Sequence, residues 1–243
     1  GVTFRLTEED SPSATAERLT RLFELAAARG LDVDLHVDEN GKPSSRTLAQ
    51  VAEAVLRTGF RGRVVCGHCC SLSMLTEADA TRTIRLVKEA GLTIVSLPLV
   101  NQFLQGRLPQ ATPRWRGIPL LTELRSAGVP VALGSDNCRD PYHAFGDLDL
   151  LEVFGGAVRM GHLDTQMPAW SAAVTRTPAT TIAGRDAGRL RRGATADLVL
   201  FRGRTFSELL ARRQADRIVI RNGRPIDTRL PDYRELDALM PAT

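Results

Sequence analysis

Leu31-Asp32-Val33-Asp34-Leu35-His36-Val37-Asp38-Glu39 is the stretch on which the fold turns. Apolar residues fall at every second position, so Leu31, Val33, Leu35 and Val37 share one face of a β-strand and Asp32, Asp34, His36 and Asp38 share the other. That second face is too polar for an ordinary core. It suits the inside of a closed barrel, where a strand-end histidine followed by a loop carboxylate, here Glu39, is the arrangement that metal-assisted hydrolysis needs.

The same unit, a strand and then a helix, repeats on both sides of this stretch. Val2–Leu6 reads as a strand and leads into a helix over Ser13–Arg29, where Leu19, Leu22, Phe23 and Ala26 keep helical spacing and Gly30 ends the run. A helix over Ser45–Thr58 with a stripe of Leu48, Val51, Ala52, Val55 and Leu56 precedes a strand over Arg63–Cys69. Thr76-Glu77-Ala78-Asp79 opens a third helix that runs through Ile84 and Val87 to Gly91, followed by a strand over Thr93–Leu97. A helix over Ile118–Ala127 leads to the strand Val129–Leu133, and a further helix is expected over Leu148–Met160.

Strands alternating with helices argue for a parallel sheet, either doubly wound or closed as a barrel. The strand ends favour the barrel: His36, His68, Asn101 and Asp136 all fall at or just past carboxyl ends of successive strands, and no GxGxxG turn follows a strand. The predicted fold class is therefore α/β, a partial (β/α)8 barrel of five C-terminal βα units over residues 1–184. A small β appendage is expected over 185–243, with a hairpin at Asn222-Gly223. A barrel takes eight strands, and the chain opens on Gly1 and enters a strand at once, so an N-terminal portion carrying the other three units is expected to precede it.

Composition narrows the function classes. With 43% hydrophobic and 25% charged residues over 243 positions, the chain is expected to be globular and cytoplasmic; it contains neither a spanning apolar run of roughly 18 residues nor a basic-then-apolar leader. Residues 176–229 hold thirteen arginines against five acids, but they are interspersed with strand-like apolar residues and few aromatics, so nucleic-acid binding is not expected. Cys66, Cys69 and Cys70 include one CxxC spacing without a second, inside a strand-like segment, and read as small apolar fillers; Cys138 stands apart.

His36, His68 and Asp136 offer two imidazoles and a carboxylate, a donor set suited to Zn(II) or Fe(II) if the sheet brings them together. Glu39 lies one residue beyond the alternation and so on the loop above them, where a carboxylate can carry a proton between water and substrate. Asn137 and Tyr142, in the turn after the fifth strand, and Asn101 and Gln105, after the fourth, are candidate substrate contacts through amide and ring. His143 and His162 are expected at the surface or on a helix.

Taken in order, HVDE (His36–Glu39), GH (Gly67-His68), PLVNxxLQGR (Pro98–Arg107), GSDNxxDP (Gly134–Pro141) and the tail GRLRRGATADLVLF (Gly188–Phe201) resemble the bacterial cytosine deaminase branch of the amidohydrolase superfamily across nearly the whole chain. The resemblance implies a deformed (β/α)8 barrel with a small β-sandwich and one divalent iron or zinc that activates water. It implies that His36 and Asp136 bind the metal, that Glu39 shuttles protons to the ring, and that His68 contacts the activated water or the substrate. Two features differ from the family pattern: its first-strand HxH and upstream substrate glutamine have no counterpart here, and Asn137 stands where a second Asp is found. The implied activity is hydrolytic deamination of cytosine or a close amino-substituted N-heterocycle, with a small nucleobase-like molecule as substrate and a homo-oligomer as the expected assembly. The alternatives are a triazine-type ring amidohydrolase using the same machinery and a non-catalytic barrel fragment that binds a partner or small molecule.

Overall fold

In the strand β2 (Val33–Val37), Val33, Leu35 and Val37 are buried while Asp34 is exposed and His36 half-buried, which is the predicted alternation. Leu31 does not join it. It is 48% exposed, and the chain at this point is tied instead by Asp32, whose carboxylate accepts hydrogen bonds from the Arg63 backbone N–H and guanidinium. The computed structural model describes residues 3–5, 11–182, 184–185, 187–212 and 216–239. They divide into two units, residues 1–189 and 190–243.

The first unit is a parallel sheet in the order β1-β2-β3-β4-β5, with β1 at Thr3–Arg5, β3 at Val64–His68, β4 at Thr93–Ser96 and β5 at Val131–Leu133. Each strand pairs with the next in parallel, with His36 beside Gly67, and Gly67 beside Val95. Between them run α1 (Pro12–Ala28), α2 (Thr47–Thr58), α3 (Glu77–Glu89), α4 (Pro98–Leu104) and α5 (Leu121–Ser126), and α6 (Leu150–Gly161) follows β5. This is the α/β partial barrel that the βα rhythm predicts. β5 starts two residues later than expected because Pro130 has no N–H to give to a ladder.

The helices pack through their predicted stripes. Leu19 and Phe23 of α1 and Val51 of α2 are fully buried, each contributing roughly 1.5–3 kcal/mol by removal from water. Leu56 is the exception, 44% exposed at the edge of its stripe. Ser11 caps α1 by accepting from the Ala14 N–H, and Thr76 caps α3 by accepting from the Asp79 N–H. α4 goes beyond the sequence reading: Pro98 at its first position starts a helix directly after β4.

In the second unit β6 (Leu198–Leu200), β7 (Ile218–Arg221) and β8 (Arg224–Pro225) form an antiparallel sheet. Asn222 and Gly223 join β7 to β8 with φ of 50° and 77°, the pair of positive values that a tight two-residue hairpin requires. No helix among the described residues is long and apolar enough to cross a membrane.

Candidate active site

Three of the parallel strands end in the same way. Asp38 after β2, His68 closing β3 and Asp136 after β5 have φ of 48°, 68° and 61°, a left-handed backbone that costs a non-glycine residue roughly 1–2 kcal/mol. Strain repeated at equivalent strand ends marks this rim as the place where side chains are re-aimed.

At β3 the effect is direct. His68 lies beside Val37 in register, so alternation would send it with Val37 into the helix layer. Its left-handed backbone, followed by Cys69 at φ 53°, turns the ring to the other face, where it meets His36 with ring centroids 4.1 Å apart. Asp38 is re-aimed the opposite way. Expected on the polar face, its carboxylate instead accepts from the Leu48 N–H at 3.0 Å and so caps α2, whose own N-cap, Arg46, makes no side-chain cap bond. Burial pushes the Asp38 carboxyl up, against hydrogen bonds from Thr47, Leu48 and Ser71.

With Asp38 turned away, Glu39 folds back over the strand end. Its Oε2 lies 3.0 Å from His36 Nε2 and its Oε1 3.6 Å from His68 Nδ1, with the Glu39 side chain only 13% exposed. The ligating atoms of His36, Glu39 and His68 all lie within 4.8 Å of one another, close enough to hold a metal ion. His36 Nε2 is buried and, although near Glu39, makes no directed hydrogen bond, so this nitrogen is left for an ion to engage. Imidazole nitrogen and carboxylate oxygen are donors for Zn(II) or Fe(II), and the residues present fit such a group.

α4 braces this cluster from behind. The fully buried Asn101 brings its amide nitrogen 2.9 Å from His68 Nδ1 and 3.2 Å from Glu39 Oε1. Gln105 donates from Nε2 to the Glu39 carbonyl at 3.3 Å. Both lie after the fourth strand, as their order in the sequence implies, but on a helix whose one sign in the sequence is Pro98 at an N1 position.

Asp136 stands outside the tight trio, yet it feels it. Partial burial and then repulsion from Glu39 push its carboxyl up, while attraction from His36 and the Asn137 N–H oppose the rise. Beyond it, Asn137 donates its amide to Asp140, and Asp140 accepts the Tyr142 and His143 N–H groups at 2.9 Å each, which fixes the loop. The Asn137 amide bond is the main reason that the Asp140 carboxyl is held low. Tyr142 is 66% exposed on that loop. His143, expected at the surface or on a helix, is instead buried on a loop, its ring edge-on to Phe103 and Phe145. These rings line a cleft of about 660 Å³ with Trp115 and Arg114, apart from the His36 cluster. His162 is at the surface, ending α6. Burial raises the thiols of Cys66, Cys69 and Cys70 far enough to keep them protonated, as packing residues would be.

The sequence pattern of the Amidohydrolase family matches residues 3–227. The chain belongs to this family. Among amidohydrolase relatives, a pterin deaminase of Rhizobium rhizogenes is 53% identical over 225 residues, covering 93% of this chain and 52% of the relative. The 5-methylcytosine deaminase of Klebsiella pneumoniae, solved with 5-fluorocytosine, superposes with a TM-score of 0.81 at 27% identity, covering 96% of this chain and 56% of that one. The N-isopropylammelide isopropylaminohydrolase of Burkholderia multivorans gives 0.71 at 26% identity, over 88% of this chain and 51% of that one. The chain thus spans about half the length of these relatives.

Proposed function

We propose that the protein carrying this chain hydrolytically deaminates an amino-substituted N-heterocycle of the cytosine or pterin kind and releases ammonia, within the cytosine-deaminase-like part of the amidohydrolase family. The observation that carries this reading is the braced contact of Glu39 with His36 at 3.0 Å, in a chain 53% identical to a pterin deaminase. In this proposal His36 and Asp136 hold one divalent ion, Fe(II) or Zn(II). Such an ion, when bound, lowers the pKa of water and makes a nucleophile available near neutral pH.

The chain's own residues do the rest. Glu39 takes a proton from the attacking water and delivers it to the ring nitrogen next to the carbon that bears the amino group. Water oxygen adds to that carbon, the amino group leaves with a second proton as ammonia, and the ring keeps the oxygen as a carbonyl. Asp136 and His68 orient the water. Asn137, Tyr142 and Gln105 are the proposed contacts to the ring. The small-molecule substrate and a homo-oligomeric, cytoplasmic protein complete the proposal.

A second reading, release of an alkylamine from a triazine ring, is supported by the likeness to the N-isopropylammelide enzyme. The two are separated by measuring ammonia from pterin, cytosine and 5-methylcytosine, and isopropylamine from N-isopropylammelide, with the metal-loaded protein. Ammonia from at least one of the first three is expected. Isopropylamine alone would establish the second reading, and no amine from any of the four would sink both.

A further inference from the structure

We infer that Trp115 is a positioning residue for Glu39: its indole fits against Gly41 and Gly106 and so sets where the Glu39 loop stands above the strand ends. The inference rests on the proposed function only in taking Glu39 as the proton carrier.

Gly41 shows the contact most clearly. It follows Glu39 by two residues, and a Cβ placed on it would lie 2.6 Å from Trp115 Cζ2, 3.0 Å from Cε2 and 3.3 Å from Cη2. Packed carbon atoms prefer about 3.5–4.0 Å, so a side chain there and the indole cannot both keep their places. Gly41 is not among the residues with a left-handed φ, so its φ gives no reason for glycine. The reason is the ring.

Gly106 supplies the second contact. It follows Gln105, and a Cβ on it would lie 3.0 Å from Trp115 Nε1 and 3.3 Å from Cδ1. Cδ1, Nε1, Cε2, Cζ2 and Cη2 are consecutive atoms along one side of the indole, so a single side of the ring reaches from the loop after β2 to the end of α4. The same two segments are also joined by the hydrogen bond from Gln105 Nε2 to the Glu39 carbonyl, at 3.3 Å. That length is at the loose end of the hydrogen-bond range and fixes a separation poorly. The ring packed beside it adds the stiffness that the bond lacks.

The parts on either side can pass the contact on. In the loop, Asn40 Oδ1 accepts from the Lys42 N–H at 2.8 Å and from Ser45 Oγ at 3.0 Å, so Gly41 lies within a closed turn that begins next to Glu39. On the ring's own segment, Gly117 at φ 72° approaches the Asn101 carbonyl so closely that a Cβ would lie 2.8 Å from its oxygen, which ties residues 115–117 to α4. Trp115 also borders the cleft that it shares with Phe103, His143 and Phe145, so a ring pushed off Gly41 has open space to enter.

Two measurements test this, one of them without turnover. In ¹H–¹⁵N spectra of the 243-residue protein its two tryptophans, Trp115 and the buried Trp170, each give one indole N–H signal, assigned from Trp115→Phe and Trp170→Phe. Gly41→Ala should shift the Trp115 signal, and Trp115→Ala should shift the backbone amides of Glu39, Asn40 and Gly41; an unmoved Trp170 signal is the folding control in both. Where Trp115→Ala fails that control, Trp115→Phe, which shortens the same side of the ring, takes its place. A folded Gly41→Ala with an unmoved Trp115 signal, or a folded Trp115 variant with unmoved Glu39–Gly41 amides, overturns the proposal. In the metal-loaded protein, tested for ammonia release from pterin, cytosine and 5-methylcytosine, Trp115→Ala should lower kcat by about 100-fold with KM little changed, the scale of a catalytic group misplaced by about 1 Å. In a Glu39→Gln background the same substitution should lower kcat little further, because the group that it positions is gone. A loss that adds in full to that of Glu39→Gln would make Trp115 a structural residue only, and would remove the proposal while leaving the deaminase reading intact. No ammonia from any of the three substrates would remove the deaminase reading, and the spectra would then decide whether Trp115 sets the loop.

Discussion

Glu39 Oε2 lies 3.0 Å from His36 Nε2, three residues along the chain, because Asp38 between them takes a left-handed backbone and turns its own carboxylate away to α2. The contact makes Glu39 either a ligand or a proton carrier beside one, and two variants separate the roles. In the active protein, Glu39→Gln should keep the metal content and lower turnover by about 100- to 10,000-fold, the usual worth of a positioned general acid or base. Asp136→Ala should lose metal and turnover together, because in the proposal it removes a ligand. Metal analysis beside ammonia release decides it: if Glu39→Gln empties the site as fully as Asp136→Ala, Glu39 is a ligand and the proton path is wrong.

Asp38 should matter for stability through α2. Asp38→Ala removes the side-chain acceptor for the Leu48 N–H at the start of that helix and is expected to cost about 1 kcal/mol, within a range of roughly 0.5–2. Asp38→Asn should recover most of the loss, since its amide oxygen also accepts and asparagine tolerates a left-handed backbone. Urea unfolding midpoints measure both. An Asp38→Ala midpoint equal to that of the parent would show that the cap contributes nothing.

The thiols provide a test of packing. Cys66, Cys69 and Cys70 are buried, and Cys138 is half-exposed. A disulfide reagent should therefore modify one of the four cysteines in the folded protein and the other three only after denaturant is added. Rapid modification of two or more before unfolding would mean that the β3 end opens far more readily than its packing implies.

What could be read in the sequence was what repeats. The period-2 pattern of Val33, Leu35 and Val37 and the helical stripes around Phe23 and Val51 recur over enough residues to set the sheet and its helices, and with them the strand ends that carry His36 and His68. What could not be read depends on single dihedral angles. Alternation put Asp38 on the inner face, and a left-handed φ took it off; it put His68 beside the outward-facing Val37, and the same device brought it in. α4, at seven residues, is too short to show a helical period, so the brace formed by Asn101 and Gln105 was invisible until the chain was folded. His143 reads as a surface or helix residue because one of the two rings that pack on it, Phe103, comes from forty positions earlier.

The starts of β2 and β3 are joined by Asp32 and Arg63, and this pair should give a measurable pH dependence. Asp32 accepts from the Arg63 backbone N–H and from its guanidinium Nε at 2.8 Å each, and chiefly the guanidinium bond holds its carboxyl below the usual range. A carboxyl whose pKa is lower in the folded state binds fewer protons there than in the unfolded chain near its ordinary value of about 3.9. Its stabilisation is therefore complete above that value and is lost as pH falls through the lower, folded-state pKa. Both side chains are well exposed, so the effect is expected to be small and to weaken with added salt. Asp32→Asn keeps one acceptor for the Arg63 backbone and removes the charge. The difference in unfolding midpoint between the parent and Asp32→Asn should be steady at neutral pH, shrink below about pH 4 and narrow in high salt. A gap that widens as pH falls would mean that the Asp32 carboxyl lies higher in the folded protein than in the unfolded chain, contrary to its hydrogen bonding.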